Sequence, residues 1–149
     1  MTGKIVPPKI KPDSDNGYFE ILTKAVFQAG FSHEVIHNKW KGFKEIFENF
    51  EVNKISNWTK EEILNAVESP KIVRNMKKIQ ATVDNAKSFQ EIVNSFGSFD
   101  GYLGTIRDKG YQELSKHLIK QFKWLGQTGA YYFLYCVDEE VPNWHDRKY

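Results

Sequence analysis

Apolar positions recur along this chain at helical spacing, and no segment shows the sustained two-residue alternation of a half-buried strand. Over residues 18–29, Tyr18, Phe19, Leu22, Ala25, Val26 and Ala29 define a helix buried on a wide face, closed by Gly30. Ser32 is placed to cap the next helix, with Glu34 in its first turn. There Ile36, Trp40, Phe43, Phe47 and Phe50 step by four and three, which is a core-facing stripe. Thr59 to Glu62 reads as a capping box ahead of Ile63, Leu64 and Val67, and Pro70 ends that helix. A longer helix is predicted over 72–95, buried through Ile72, Met76, Ile79, Val83, Ala86, Phe89 and Val93. Its bases Arg74, Lys77, Lys78 and Lys87 read as a solvent face.

Two further segments complete the pattern. Residues 1–17 carry three prolines and then DSDNG, and read as an arm ahead of a helical domain over 18–149. Late in the chain, about residues 114–137, a helix, a glycine-bearing turn and an apolar helix follow one another. The fold class predicted is all-α, with about six to eight helices.

Composition narrows the function classes only in part. The chain has 149 residues, 40% hydrophobic and 27% charged, as suits one domain with a core. Its net charge of +2 neither demands nor excludes nucleic acid, because a local patch matters more than the sum. One cysteine, Cys136, rules out an internal disulfide, and with four histidines there is no thiolate-rich zinc cluster. His33 and His37 lie one turn apart, but no third ligand joins them, so no metal is assigned. No signal segment or membrane-length apolar run is present. The setting expected is reducing and cytoplasmic, with no cofactor, no membrane and a monomeric chain.

The late stretch admits two readings. As an αα-hairpin it is plain core. As a phosphate-gripping hairpin it aims free backbone N–H groups at a polyanion, because a helix N-terminus favours negative charge. Lys120 and Lys123 stand before the turn, suited to phosphates. Sixteen positions beyond Ala130 comes Asp146, the acid best placed for chemistry if the hairpin holds nucleic acid. A carboxylate can stabilise an oxocarbenium ion at a sugar C1′ and orient water. Tyr18, Tyr131 and Trp144 are candidates for a pocket that takes a base rotated out of the stack. Position 128 is threonine, so no lysine is placed there for Schiff-base chemistry and water is the nucleophile.

These residues resemble the helix-hairpin-helix superfamily of DNA glycosylases, the group that includes 3-methyladenine DNA glycosylase I. QAGFS at 28–32 and KIVRNMKKIQATVDNAKSF at 71–89 carry the upstream likeness, the latter through Arg74, Lys78, Ile79, Gln80, Asn85 and Ala86. WLGQTGA at 124–130 resembles the family hairpin. The resemblance implies an all-α fold and double-stranded DNA with a modified base as partner and substrate. Trp124, Gly126, Gln127, Thr128 and Gly129 would then join Lys120 and Lys123 as the DNA grip, with Asp146 catalytic. Ala25 stands where that family has a base-recognising glutamate, and His33 where it has a pocket tryptophan. The family's zinc cysteines are absent. The activity implied is monofunctional base excision. A non-catalytic DNA-binding relative and a helical protein-interaction module are the alternatives.

Overall fold

The computed structural model describes residues 6–146. Among them there are eight α-helices and no strand. They are α1 (Asp15–Gln28), α2 (His33–Ile46), α3 (Val52–Ile55), α4 (Lys60–Glu68), α5 (Met76–Phe96), α6 (Phe99–Gly104), α7 (Tyr111–Gln121) and α8 (Gln127–Cys136). Short 3-10 turns lie at Glu48–Phe50, Arg107–Lys109 and Trp144–Asp146.

Helix α1 is the central element and touches α2, α3, α5, α6 and α8. Its side chains Tyr18, Phe19, Leu22, Ala25, Val26 and Phe27 are all buried. It starts three residues before the apolar pattern does, inside the segment predicted as arm. The polar residues there are helix-starting groups. Ser14 Oγ accepts from Gly17 N at 3.0 Å and caps α1. Asp15 Oδ1 accepts from Phe99 N at 2.8 Å and Asn16 Oδ1 from Val52 N at 3.1 Å. DSDNG therefore satisfies orphan donors at the starts of three helices, α1, α6 and α3.

The other expected caps form. Ser32 Oγ accepts from Val35 N, and Thr59 and Glu62 make the reciprocal capping box. The aromatic stripe packs as core, but α2 ends at Ile46 and Phe50 reaches it from the 3-10 turn: Trp40 stacks on Phe43 at 4.9 Å and on Phe50 at 5.2 Å. Both donors of the neighbouring indoles are satisfied by acids, Trp40 Nε1 to Glu20 and Trp58 Nε1 to Glu48, each at 2.9 Å. Helix α5 begins four residues later than predicted. Asn75 Oδ1 accepts from Lys78 N and starts it there, while the chain after Pro70 stays irregular against α2. Gly42 makes that approach feasible, since a Cβ on it would lie 2.2 Å from Lys71 O.

Candidate functional site: a hairpin pinned to the long helix

Helices α7 and α8 pack on each other and enclose a five-residue turn, 122–126. The turn is held from α5. Asn85, 3% exposed, donates Nδ2 to Lys123 O at 3.1 Å and accepts from Lys123 N at 2.8 Å. One side chain thus satisfies both backbone groups of one turn residue, fixing the turn where the chain must reverse. Phe122 and Leu125 bury beneath it, and Trp124 stands out, 53% exposed at φ 61°.

The sequence motif opens α8 in a polar way. Gly126 is its N-cap and supplies no side chain. The first helical bond runs from Ala130 N to Gly126 O at 2.8 Å. The N–H groups of Gln127, Thr128 and Gly129 precede that bond and point along the positive end of the helix. Gly126, Gln127 and Thr128 are exposed and Gly129 half-buried. Lys120 is exposed in the last turn of α7. Lys123 is exposed too, with Nζ bonded to Asp84 at 3.0 Å. The seven residues read as a DNA grip therefore stand together at one end of the hairpin. An anion there would meet backbone N–H groups, two ammonium ions and an indole ring.

A second turn is pinned from the same helix. Lys78, read as solvent-facing, is 3% exposed. Its Nζ donates to Ala29 O and to Phe27 O, the carbonyls at the end of α1, the latter at 3.4 Å. Burial pulls its ammonium down from the ordinary lysine value. The reason the periodicity missed it is geometric. Lys78 and Asn85 lie seven apart, on one face of α5, and that face looks at backbone rather than at apolar side chains. Two polar residues at a seven-residue interval within a buried helix were the available signal. Between Ala29 and Ser32, Gly30 takes φ 82°, and Phe31 is 37% exposed.

The structure brings together only part of the pocket set. Tyr131 and Trp144 meet, with ring centroids 5.9 Å apart, and Tyr131 Oη donates to Pro142 O at 2.6 Å. Tyr18 lies elsewhere, against Phe99 and Phe133, its hydroxyl donating to Asp100 at 3.4 Å. Burial and the nearby acids push that phenol up to about 12. His33 lies at the start of α2 with its ring 5.7 Å from Tyr132. Asp146 is exposed at the end of the 3-10 turn whose Trp144 packs on α8.

The segment leading to Asp146 is tied down by charge. Arg107 Nε and Nη2 donate to Glu139, which is 6% exposed, at 2.9 and 2.8 Å, and Nη2 also donates to Asp100. This forked geometry suits guanidinium and carboxylate. It raises Arg107 further above its already high value, and it holds the Asp100 carboxyl below the usual range. Lys9 Nζ donates to Glu139 O at 3.2 Å, and Lys11 pairs with Asp100. Among the described residues no helix is long and apolar enough to cross a membrane.

An all-α body around a buried central helix, with a pinned hairpin whose second helix opens in exposed backbone, defines a helix-hairpin-helix protein of the DNA glycosylase class. The chain belongs to the methyladenine glycosylase family, whose profile matches residues 10–118. It is similar to 3-methyladenine DNA glycosylase I from Staphylococcus aureus, solved to explain 3-methyladenine recognition: 25% identity, TM-score 0.77, covering 85% of this chain and 78% of that one. A variant of 3-methyladenine DNA glycosylase I in complex with 3-methyladenine is 24% identical, with TM-score 0.77 over 90% of this chain and 81% of that one. The solution structure of 3-methyladenine DNA glycosylase I shares the fold at TM-score 0.73 and 22% identity, over 88% of this chain and 79% of that one.

Proposed function

We propose that this chain is a monofunctional DNA glycosylase that hydrolyses the N-glycosidic bond of a modified base in duplex DNA. The observation that carries the reading is the hairpin. Its open α8 N-terminus, Lys120, Lys123 and Trp124 stand on the scaffold of the methyladenine glycosylase family, and Asn85 holds the turn rigid. Phosphates on that end would fix the duplex, leaving one nucleotide to rotate out. Asp146 is the acid proposed to act on the sugar. Its carboxylate would stabilise the positive charge growing at C1′ as the base leaves, and orient the water that adds there. Thr128 supplies no amine, so no covalent enzyme–sugar adduct and no strand cleavage follow.

A screen for base release over duplexes with alkylated, oxidised and deaminated bases tests this. Release of at least one base, with the strand left intact, is the result expected. A chain that binds duplex DNA and releases none of them is not a glycosylase.

One observation favours a non-catalytic DNA-binding relative as the second reading. Two cavities among the described residues are lined by none of Tyr131, Trp144 and Asp146. One, of about 360 Å³, is lined by Gln112, Glu113, Lys116, Ile119 and Gln127. The other, of about 200 Å³, lies between the 3-10 turn at Glu48–Phe50 and α4. On that reading, duplex binding weakens steeply with salt because phosphate contacts release counterions, and no base is released.

A further inference from the structure

The outer side of α7 carries a cleft that the base-release reading leaves unused. Gln112, Lys116 and Lys120 follow at steps of four, so they share one exposed stripe, about 12 Å long at 1.5 Å per residue. Gln112 and Lys116 line a cleft of about 360 Å³ together with Glu113, Ile119 and Gln127. Gln127 comes from the first turn of α8 and is held in place. Ser115, 1% exposed, donates its hydroxyl to Gln127 Oε1 at 3.3 Å. That contact uses the amide oxygen and leaves the two N–H donors of the same amide to the cleft.

The charge on this stripe is not used in folding. Among the described residues, Lys11, Lys54, Lys71, Arg107 and Lys123 each pair with an acid, whereas Lys116 and Lys120 pair with none. Like charges four apart on a helix repel. Lys116 stands five residues from either end of α7, too far for a helix end to account for it. Glu113 lies three positions before Lys116, a spacing that permits a pair, yet none forms.

We propose that this cleft is a second phosphate site for duplex DNA, beyond the phosphates held at the hairpin turn, with Lys116 as its cation. The inference rests on the reading of the hairpin as a DNA grip. The Lys116 ammonium and the Gln112 and Gln127 amides supply N–H donors to the phosphate oxygens, and Ile119 meets the carbon face of the adjoining deoxyribose. No base edge is read, so the contact is independent of sequence. Continuity sets the occupant. Gln127 stands at the grip and also lines the cleft, so a backbone leaving one enters the other. Each strand of a duplex carries a charge about every 3.4 Å of axis, so the stripe runs alongside more than one phosphate. Glu113, in the first turn of α7, ends the track, because its carboxylate repels the next phosphate.

The test is the salt dependence of binding to an unmodified duplex, read by fluorescence anisotropy. Each phosphate neutralised adds about 0.9 to the slope of log K against log salt. Lys116→Ala makes the slope shallower by about 0.9 and lowers affinity at least threefold at low salt, and Lys116→Arg keeps both. Glu113→Gln raises affinity at least twofold. Lys87→Ala, about 200° around α5 from the Asn85 side chain that holds the turn, changes neither slope nor affinity. Neutral methylphosphonates, placed one at a time in the duplex, then locate the site: at one position the loss seen with the unsubstituted protein disappears in Lys116→Ala. A Lys116→Ala slope equal to the unsubstituted one, with Lys120→Ala shallower, overturns the cleft and leaves the hairpin grip standing. An equal fall in Lys87→Ala reduces the effect to net charge and overturns it too. An unsubstituted chain that binds no duplex ends both the grip and the cleft. Base release is measured separately, so a chain that binds with the full slope and releases nothing loses the glycosylase reading alone.

Discussion

Two stripes of α8, about 100° apart around the helix, serve different ends. The Tyr131–Tyr135 stripe faces the returning chain. Trp144 packs on both rings, at 5.9 and 5.0 Å, and so places the turn that carries Asp146. The Tyr132–Cys136 stripe faces α1 and the start of α2, where the Tyr132 hydroxyl meets the Gln28 amide and its ring meets His33. One helix thus supports the turn of the proposed acid with one stripe and packs on α1 with the other, with the proposed phosphate grip at its N-terminus. The lesson is that one helix can serve two different packing partners through its period alone, each position assigned by angle.

The comparison breaks most easily on the acid's side. Trp144→Ala removes a buried ring from the Tyr131–Tyr135 stripe. Large-to-small changes of this kind cost about 3–5 kcal/mol in a closed core. Trp144 sits in a 3-10 turn on the side of α8 rather than in the central core, so the loss should fall at the lower edge, measured by denaturant unfolding, and duplex binding by the hairpin should persist. Loss of duplex binding in a folded variant would mean that the stripes are not independent.

Next in size is Arg107→Ala, which leaves the buried Glu139 carboxylate without its guanidinium. Breaking a fully buried pair costs about 3–5 kcal/mol; with Arg107 37% exposed, about 2 kcal/mol is expected. The same network gives a pH signature. The Asp100 carboxyl is held below its unfolded value, so its contribution is present above that value and is lost as pH falls through the folded one. Stability should drop on acidification below about pH 4 in the parent chain, and less so in Arg107→Ala. An equal acid slope in both chains would remove Arg107 from the account.

Asn85→Leu tests the hairpin that feeds both stripes. It strands the Lys123 N–H and C=O under a buried side chain, at a cost of about 1–3 kcal/mol. For a domain of this size that is about 2–4 °C of Tm per kcal/mol, accompanied by weaker duplex binding. Unchanged affinity would show that the turn need not be rigid to grip.

The smallest effect on stability should come from Trp124→Gly. The indole is half-exposed, and φ 61° suits glycine, so stability changes by about 0.5 kcal/mol or less. Duplex affinity, read by fluorescence anisotropy, should still fall about five- to tenfold, the lower end of the scale of one lost stacking contact.

Much of the fold was legible because its elements announce themselves. The Ser32 cap and the Thr59–Glu62 box are local signals, and each formed as read; the four-three stripe is buried as read, but α2 ends at Ile46 and its last two members, Phe47 and Phe50, follow in the cap and 3-10 turn. The hairpin was legible as helix, glycine turn and helix. What could not be read was long-range. Asp15 and Asn16 looked like loop because their partners, Phe99 N and Val52 N, lie 84 and 36 positions away. Lys78 looked like surface because a polar side chain that serves distant backbone is indistinguishable in sequence from one that serves water. The packing partners of the pocket candidates were hidden for a similar reason. Tyr18, Tyr131 and Trp144 are aromatic and well placed in sequence, but burial sends Tyr18 into the Phe99–Phe133 core.

The central claim is that this chain excises a base and that Asp146 acts on the sugar. Single-turnover base release from the best duplex in the screen, compared between the unsubstituted protein and Asp146→Asn, tests it most directly. The account predicts a fall of at least about 100-fold in release, the scale of removing one transition-state-stabilising group, with duplex affinity unchanged. Release at the unsubstituted rate by Asp146→Asn would contradict it.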